Sequence, residues 1–359
     1  MTAANGHAER RNRLRALLSD QDVGRLMIVT NLSNVRYLTG FSGSNAVLVV
    51  GTDPSDDVIG TDGRYQDQVA EQTPDLPVVV DRDTLEAVAR TVARRPVLVE
   101  PGLGVAEFNG LRDTGLSVSV GDPLVERLRA VKDEQELAAL GTACAITVAA
   151  FSALAAEIEV GAVEVALARR LEQLFGEFGA EDRAFDSIVA AGAHSAIPHH
   201  EPGRRALERG DLLVIDAGAR VDGYHADMTR TFVVGADPEP WQVRVHEVVR
   251  DAQAAATRHY VPGAARLNID GAAREPITAA GFGDDYTHGL GHGVGLDIHE
   301  APMIGPRSTG TIDANMAITV EPGVYLTGRG GVRIEDTLVV TDAGPRILTE
   351  APRDLLVVG

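Results

Sequence analysis

The sequence predicts two domains of different class: an α/β domain over residues 1–130, then an α+β domain over residues 131–359 with helices flanking an antiparallel sheet. Three observations lead there. Short apolar runs at residues 26–29, 46–50, 77–80 and 97–99 alternate with turn chemistry and one helical repeat. Near residue 125 the composition shifts to long, alanine-rich helical patterns. Beyond these come apolar strands that fold back as hairpins and end in carboxylates.

In chain order, Leu14, Leu17 and Leu18 sit at helical spacing, with the arginines between them expected on the wet face. This basic segment lacks an apolar core followed by a cleavage site, so no secretory signal is expected. A mitochondrial-type presequence is the competing reading, and Glu9 and Asp20 count against it. Gly43-Ser44-Asn45 and Thr61-Asp62-Gly63 are turns between strands, and Leu85, Val88 and Val92 mark a helix over residues 84–95. This half is poor in clustered histidines and carboxylates, which suits a domain that shapes a site without carrying its chemistry. After the boundary, helices are expected over residues 134–158, 163–178, 240–260 and 267–280. Strands are expected over residues 187–191, 211–219, 224–234, 316–320 and 332–340. Pro276 removes a backbone donor and should kink or break the last helix.

Composition excludes several classes. A chain of 359 residues, 44% hydrophobic, is long enough for two globular domains. No apolar run is expected to reach the length of a bilayer span, so no membrane partner is expected. Lys plus Arg is 33 against 52 for Asp plus Glu, and the net charge of −19 repels phosphate backbones, so no nucleic-acid partner is expected. The single cysteine, Cys144, forms no internal disulfide and fits a reducing cytoplasm. Its Ala and Leu neighbours mark it as a small core residue and not a nucleophile.

The chemistry starts at residues 211–231. The run Leu212 to Ile215 delivers Asp216, a turn follows at Asp222-Gly223, and the chain returns with Asp227. A buried carboxylate is costly unless it is paired or binds a cation. If the loop is Asp222-Gly223, Asp216 lies opposite Thr229 with Asp227 diagonal to it; if the loop is residues 220–223, the two aspartates face each other. Either even loop puts both on one face.

The stretch HGLGHGVGLDIHE follows, with His288, His292 and His299. Its glycines at 289, 291, 293 and 295 exclude a helix. As a strand it would put the glycines on one face and His288, Leu290, His292 and Val294 on the other. Val294 stands where a dinucleotide-binding fingerprint needs Gly, and His299-Glu300 does not continue as HExxH. The stretch EPGVYLTGRGGVRIED repeats the hairpin logic with Glu321 and Glu335, and Arg333 is placed to orient a ligating carboxylate. SAIPHH, ending in His199 and His200, reads by itself as a turn.

Asp216, Asp227, His292, Glu321 and Glu335 make four carboxylates and one imidazole. That is too much negative charge for an ordinary zinc site. It suits two divalent ions bridged by carboxylates, Mn²⁺ ahead of Co²⁺ or Zn²⁺, and hydrolysis as the chemistry. There is no phosphate loop, and Gly40-Phe41-Ser42-Gly43-Ser44 fails the GxSxG elbow at its last position.

DAGARVDGYHADMTRT, HGLGHGVGLDIHE, EPGVY and GVRIED occur here in an order that resembles the creatinase/aminopeptidase family of pita-bread metallopeptidases. Within it the chain is most similar to the Xaa-Pro aminopeptidase and Xaa-Pro dipeptidase (prolidase) branch. NVRYLTGFSGSNA and TDGRY resemble the same branch's N-terminal domain, so the resemblance covers nearly the whole chain. It implies a creatinase-like first domain and a pita-bread second domain. It implies Asp216, Asp227, His292, Glu321 and Glu335 as metal ligands, with Asp227 and Glu335 bridging, and Glu321 also as proton shuttle. His199, His288 and His299 match substrate-binding histidines, the latter two steadying the tetrahedral intermediate. His200 is left as a bystander, and His194 stands where relatives often carry another polar residue.

The implied activity is removal of an N-terminal residue ahead of proline in short peptides, often by a homodimer. A Xaa-Pro dipeptidase is the alternative, since loop shapes beyond the proline decide between the two. A non-catalytic binding relative or a metal-free creatinase-like hydrolase would be expected to have lost ligands, and none is missing. A methionine aminopeptidase does not fit the N-terminal domain of 130 residues.

Overall fold

The computed structural model describes residues 3–20, 26–92 and 95–359. Two units partition the chain, Met1–Arg129 and Ala130–Gly359. In the first, the apolar runs pair into a six-stranded mixed sheet ordered Val78–Val80, Val58–Thr61, Val47–Gly51, Leu26–Val29, Val97–Val99, Val118–Val120. Leu26–Val29 is buried throughout, which is why it reads as a continuous apolar run and not as an alternation. The strands Val58–Thr61 and Val118–Val120 were not anticipated. Gly60 dilutes the first, at a point where a Cβ would collide with Val88, and VSV is short and only half-buried. The helix Leu32–Thr39 also escaped notice, although Asn31 caps its start and Gly40, at φ 81°, closes it. The expected helix over residues 84–95 spans Thr84–Thr91; residues 93 and 94 lie outside the described residues.

One expectation for the first helix fails. It spans Ala3–Ser19 with Leu14 and Leu18 buried and Arg13 exposed, but Arg10, Arg11 and Arg15 do not form a wet face. Arg10 and Arg11 are buried and donate to Tyr37 O and Leu38 O, carbonyls near the end of Leu32–Thr39. Arg15 lies 2.6 Å from Asp57. Helix C-termini leave carbonyls without intrahelical partners, and guanidinium groups satisfy them.

In the second unit the helix Glu134–Glu157 opens with a capping box, Asp133 with Glu136. Contrary to expectation, this helix is long and apolar enough to cross a membrane by length and composition. Here it is a core helix. Ala150, Phe151 and Leu154 pack with Leu171 and Phe175 of the helix Glu164–Glu177 against Leu213, Ile215 and Ala217. The intervening Leu212 and Val233 face a second core, with Val245, Val249, Ile269, Ile277, Ile318 and Leu338. So the central sheet, ordered Leu356–Val358, Met228–Val234, Leu212–Ala217, Ile188–Ala191, carries a core on each face. The second core joins the helices Pro240–Thr257 and Arg266–Ala279 to an antiparallel sheet ordered Glu300–Ile304, Gly291–Gly293, Ala317–Val320, Asp336–Val339, Arg346–Ile347. Pro276 does not break its helix. It sits in the last turn, and the helix runs on to Ala279.

Both carboxylate hairpins keep one register through an interruption. In the first, Asp216 pairs with Thr229 and Arg220 with His225, which selects the Asp222-Gly223 turn; both turn residues have positive φ, 50° and 80°. The expected strands over residues 211–219 and 224–234 are each split, at Gly218 and at Ala226-Asp227. There the two chains approach so closely that a Cβ on Gly218 would run into Ala226 O. In the second hairpin Val320 pairs with Asp336 and Gly323 with Arg333, so the register sets Glu321 opposite Glu335. The expected strand over residues 332–340 is accordingly split into Gly330–Arg333 and Asp336–Val339. At the break Glu335 N turns away to donate to Thr229 O on the first hairpin.

Gly218→Ala is expected to cost about 1–3 kcal/mol of stability, because only backbone can yield to the added methyl. Urea unfolding measures it; a variant as stable as the parent would show that the two chains can part at no cost.

Candidate metal centre

The two interruptions meet. Asp216, Asp227, Glu321, Glu335 and His292 line one cavity of about 600 Å³, together with His199, His288, His299 and Arg333. Every site residue anticipated from sequence is on that wall. His200 is not, and its ring instead meets Glu164.

Arg333 organises one side. It donates to Asp216 Oδ2 at 2.7 Å, to Thr229 Oγ1 at 3.1 Å and to the Tyr325 hydroxyl at 2.9 Å. Thr229 Oγ1 donates in turn to Glu335 Oε2 at 2.6 Å, and the Tyr325 hydroxyl donates to His288 Nε2 at 2.9 Å. Burial pushes the Tyr325 phenol up to about 12, so it stays a donor. The histidine stretch is less regular than an alternating strand. Only Gly291–Gly293 is strand, with an irregularity between His292 and Gly293, and Leu290 enters the core while His288 and His292 reach the cavity. Its glycines do admit backbone: Cβ atoms at 289, 291 and 293 would strike Ile304 O, Thr319 O and Ala301 O.

The electrostatics of these groups call for cations. Burial, then repulsion from Glu335, Asp216 and Glu321, drives the Asp227 carboxyl well above the ordinary carboxylate range. Glu335 rises likewise, by burial and the charges of Glu321 and Asp216. Glu321 is pushed up to about 8, mainly by burial, with Arg333 opposing. Asp216 Oδ1 is buried with no hydrogen-bond partner among the described residues. His292 Nδ1 donates to Gly293 O at 3.1 Å, which leaves a lone pair on Nε2. That lone pair faces Asp227 Oδ2 and Glu321 Oε1, each 3.5 Å away. Burial and the neighbouring His299 hold the His292 ring down to about 4, so the imidazole is neutral. An imidazole lone pair aimed at two carboxylates, with its other nitrogen fixed by a carbonyl, is the donor geometry of a metal site. Asp227, His292 and Glu335 each bring a donor atom within 4.8 Å of the others. The residues present therefore fit divalent cations.

Tyr325 and Thr229 were missed as functional groups. Tyr325 lies two alternations beyond Glu321 in the strand Gly323–Leu326, a spacing that could have put it on the same face. Thr229 carried no signal beyond its place opposite Asp216.

An α/β unit followed by a two-cored α+β unit, with a carboxylate-rich, cation-seeking cavity, defines a metallohydrolase. A model of the Creatinase/Prolidase N-terminal domain matches residues 10–131, and one of Metallopeptidase family M24 matches residues 138–342. The chain belongs to metallopeptidase family M24, with a creatinase-type N-terminal domain and a pita-bread second domain. It is 35% identical over 352 residues to the Xaa-Pro dipeptidase of Pyrococcus furiosus, covering 97% of this chain and 99% of that one. The solved structure of a Xaa-Pro dipeptidase from Bacillus anthracis matches with a TM-score of 0.93 at 32% identity, over 98% of this chain and 100% of that one. An X-Pro aminopeptidase from Thermotoga maritima matches with a TM-score of 0.89 at 33% identity, over 97% and 99%.

The raised carboxyls set the pH dependence of the metal-free protein. A carboxyl whose folded pKa exceeds its unfolded value contributes stability below the unfolded pKa, near 4.5, and loses it as pH climbs through about 8. The Tm of chelator-treated protein is therefore expected to fall by roughly 4 °C or more between pH 5 and pH 9. Added Mn²⁺ should flatten that slope. A metal-free Tm that holds level or rises would count against the crowded-carboxylate reading.

Proposed function

We propose that this metallopeptidase hydrolyses the peptide bond between an N-terminal residue and a following proline in short peptides. Asp216, Asp227, His292, Glu321 and Glu335 would hold two divalent ions, and by the family likeness Asp227 and Glu335 are the residues that would serve both. The observation that carries this is the His292 lone pair aimed at Asp227 and Glu321 within the buried carboxylate cluster. Four carboxylates against Arg333 leave a formal −3; one divalent ion leaves −1, and two leave +1, which suits attack by an anionic oxygen on a carbonyl. The oxygen-rich donor set favours Mn²⁺ over Zn²⁺. When bound, the ions lower the pKa of water and polarise the scissile carbonyl.

The chain's own residues do the rest. Glu321 takes the proton of the attacking water and hands it to the departing proline nitrogen as the C–N bond breaks. His199, His288 and His299 bind the substrate. Of the two histidines the family likeness assigns to the oxygen that becomes negative in the tetrahedral intermediate, His299 is the donor, because both ring nitrogens of His288 are engaged in this structure, by Gly289 O and the Tyr325 hydroxyl. Burial, then the charge of Arg333, holds the His288 ring down to about 4. It is thus neutral, with Nδ1 donating to Gly289 O at 2.7 Å, and its orientation is set by Tyr325. Arg333 fixes Asp216. The buried, unpaired Cys144 supports a reducing, cytoplasmic setting, and the homodimer is carried from the family likeness.

Metal analysis should find two divalent ions per chain, and Asp227→Ala should lose activity on Xaa-Pro peptides by roughly a thousandfold or more, the scale of removing an essential catalytic group. A folded Asp227→Ala protein with undiminished turnover would sink the proposal.

One observation favours a dipeptidase as the second reading. Arg307 is an exposed guanidinium on the cavity wall, a counter-charge for a free C-terminal carboxylate. On that reading a Xaa-Pro dipeptide is hydrolysed faster than a Xaa-Pro-Xaa tripeptide, and Arg307→Ala raises KM for the dipeptide but not for its C-terminal amide. Equal rates on both peptides, with Arg307→Ala silent, would leave the aminopeptidase.

A further inference from the structure

Among the described residues nothing hydrogen-bonds the His199 ring, so its placement in the cavity is set by its neighbours. It lies in the chain between the strand Ile188–Ala191 and Gly203, which holds only the short turn Gly192–Ala196. One fully buried carboxylate gathers this segment. Glu164 begins the helix Glu164–Glu177, where a carboxylate is favoured. Its Oε1 accepts from Ala191 N and His194 Nδ1, both at 2.9 Å. Its Oε2 accepts from His200 Nε2 at 3.0 Å and Gly203 N at 3.1 Å. The segment is thus pinned at its start, at its end and at two points between. The His194 and His200 rings lie against each other, tilted by 33° with centroids 4.2 Å apart.

Glu164, His194 and His200 are also close enough to hold a metal. The hydrogen-bonded reading is the better one: both oxygens already carry two donors each, and both ring nitrogens stand at hydrogen-bond distance. Those bonds outweigh the cost of burial and hold the Glu164 carboxyl below its ordinary value.

On the other side Arg333 Nη1 donates to Pro198 O at 3.3 Å. His199 is therefore bracketed. The residue before it is tied to the arginine that holds Asp216, and the residue after it is tied to Glu164. We propose that Glu164 is the positioning residue for His199, acting through His200 and the backbone at both ends of the segment. This rests on His199 being a substrate-binding group.

The test uses the metal-loaded enzyme, a Xaa-Pro dipeptide and a double-mutant cycle. Because Glu164→Gln removes a fully buried charge, the partly exposed His200 carries the cycle. His200→Ala should raise KM roughly five-fold with kcat and metal content little changed, about 1 kcal/mol at 1.4 kcal/mol per tenfold. His200→Gln, whose amide can still donate to Glu164, should recover most of that loss. In a His199→Ala background, His200→Ala should add nothing. The same five-fold loss in both backgrounds, no loss in either, or a Gln variant no better than Ala would overturn the proposal. A His199→Ala enzyme with unchanged KM and kcat would instead remove the role given to His199, and the positioning role with it.

Discussion

Four carboxylates cannot be buried around one cavity without a compensating charge, and most of this second domain follows from that constraint. Three of them are driven above the ordinary carboxylate range by burial and by one another. Arg333 answers part of the charge, and the rest calls for cations. The fold supplies what such a site needs in return, a frame stiff enough to hold like charges together. Both faces of the sheet that bears Asp216 are packed, one on the helices Glu134–Glu157 and Glu164–Glu177, the other on Pro240–Thr257 and Arg266–Ala279.

Residues lodged between two regular ladders are held on both sides, yet their backbone is released from the ladder itself. Asp227 and Glu335 sit at such points. Their free backbone groups tie the hairpins together: Glu335 N reaches Thr229 O, and Asp227 O accepts from the Thr337 hydroxyl at 2.8 Å. Behind them Arg230 donates to Glu335 O at 2.6 Å and to Asp336 Oδ1 at 2.8 Å. The carboxylates are thus positioned by the second layer of bonds rather than by their own mutual contacts, which are repulsive.

How much of this could be read beforehand differs by residue, for physical reasons. Asp216 was legible because an apolar run ends on it, and Glu321 and Glu335 because a hairpin repeats the same pattern. The sequence left two even loops open, Asp222-Gly223 and residues 220–223, and the strands adopt the register of the first. Breaks at Gly218 and Glu335 were not legible, because they depend on how closely two chains pass. Arg10 and Arg11 of the first helix misled for a related reason: their acceptors lie 27 residues on, at the end of a helix not anticipated from sequence. The helix Glu134–Glu157 shows the reverse ambiguity, since alanine-rich core and membrane span share a composition and only the surrounding packing separates them.

Glu164 illustrates the limit of motif reading. Nothing in its neighbourhood along the chain marks it, since a glutamate at the start of a helix is an ordinary capping choice. Its importance comes from four donors that arrive 27 to 39 residues later. His200, which looked idle beside His199, is one of them. The carboxylates of the cavity are held in or between strand ladders, whereas His199 lies on a segment with little regular structure, so a side chain placed there needs an anchor of another kind. A buried carboxylate saturated with donors is such an anchor, because each bond lost leaves an unpaired charge in the interior. The same chemistry that draws cations to one group of buried carboxylates, when answered by amides and imidazoles instead, becomes a fixed point for the loop beside it.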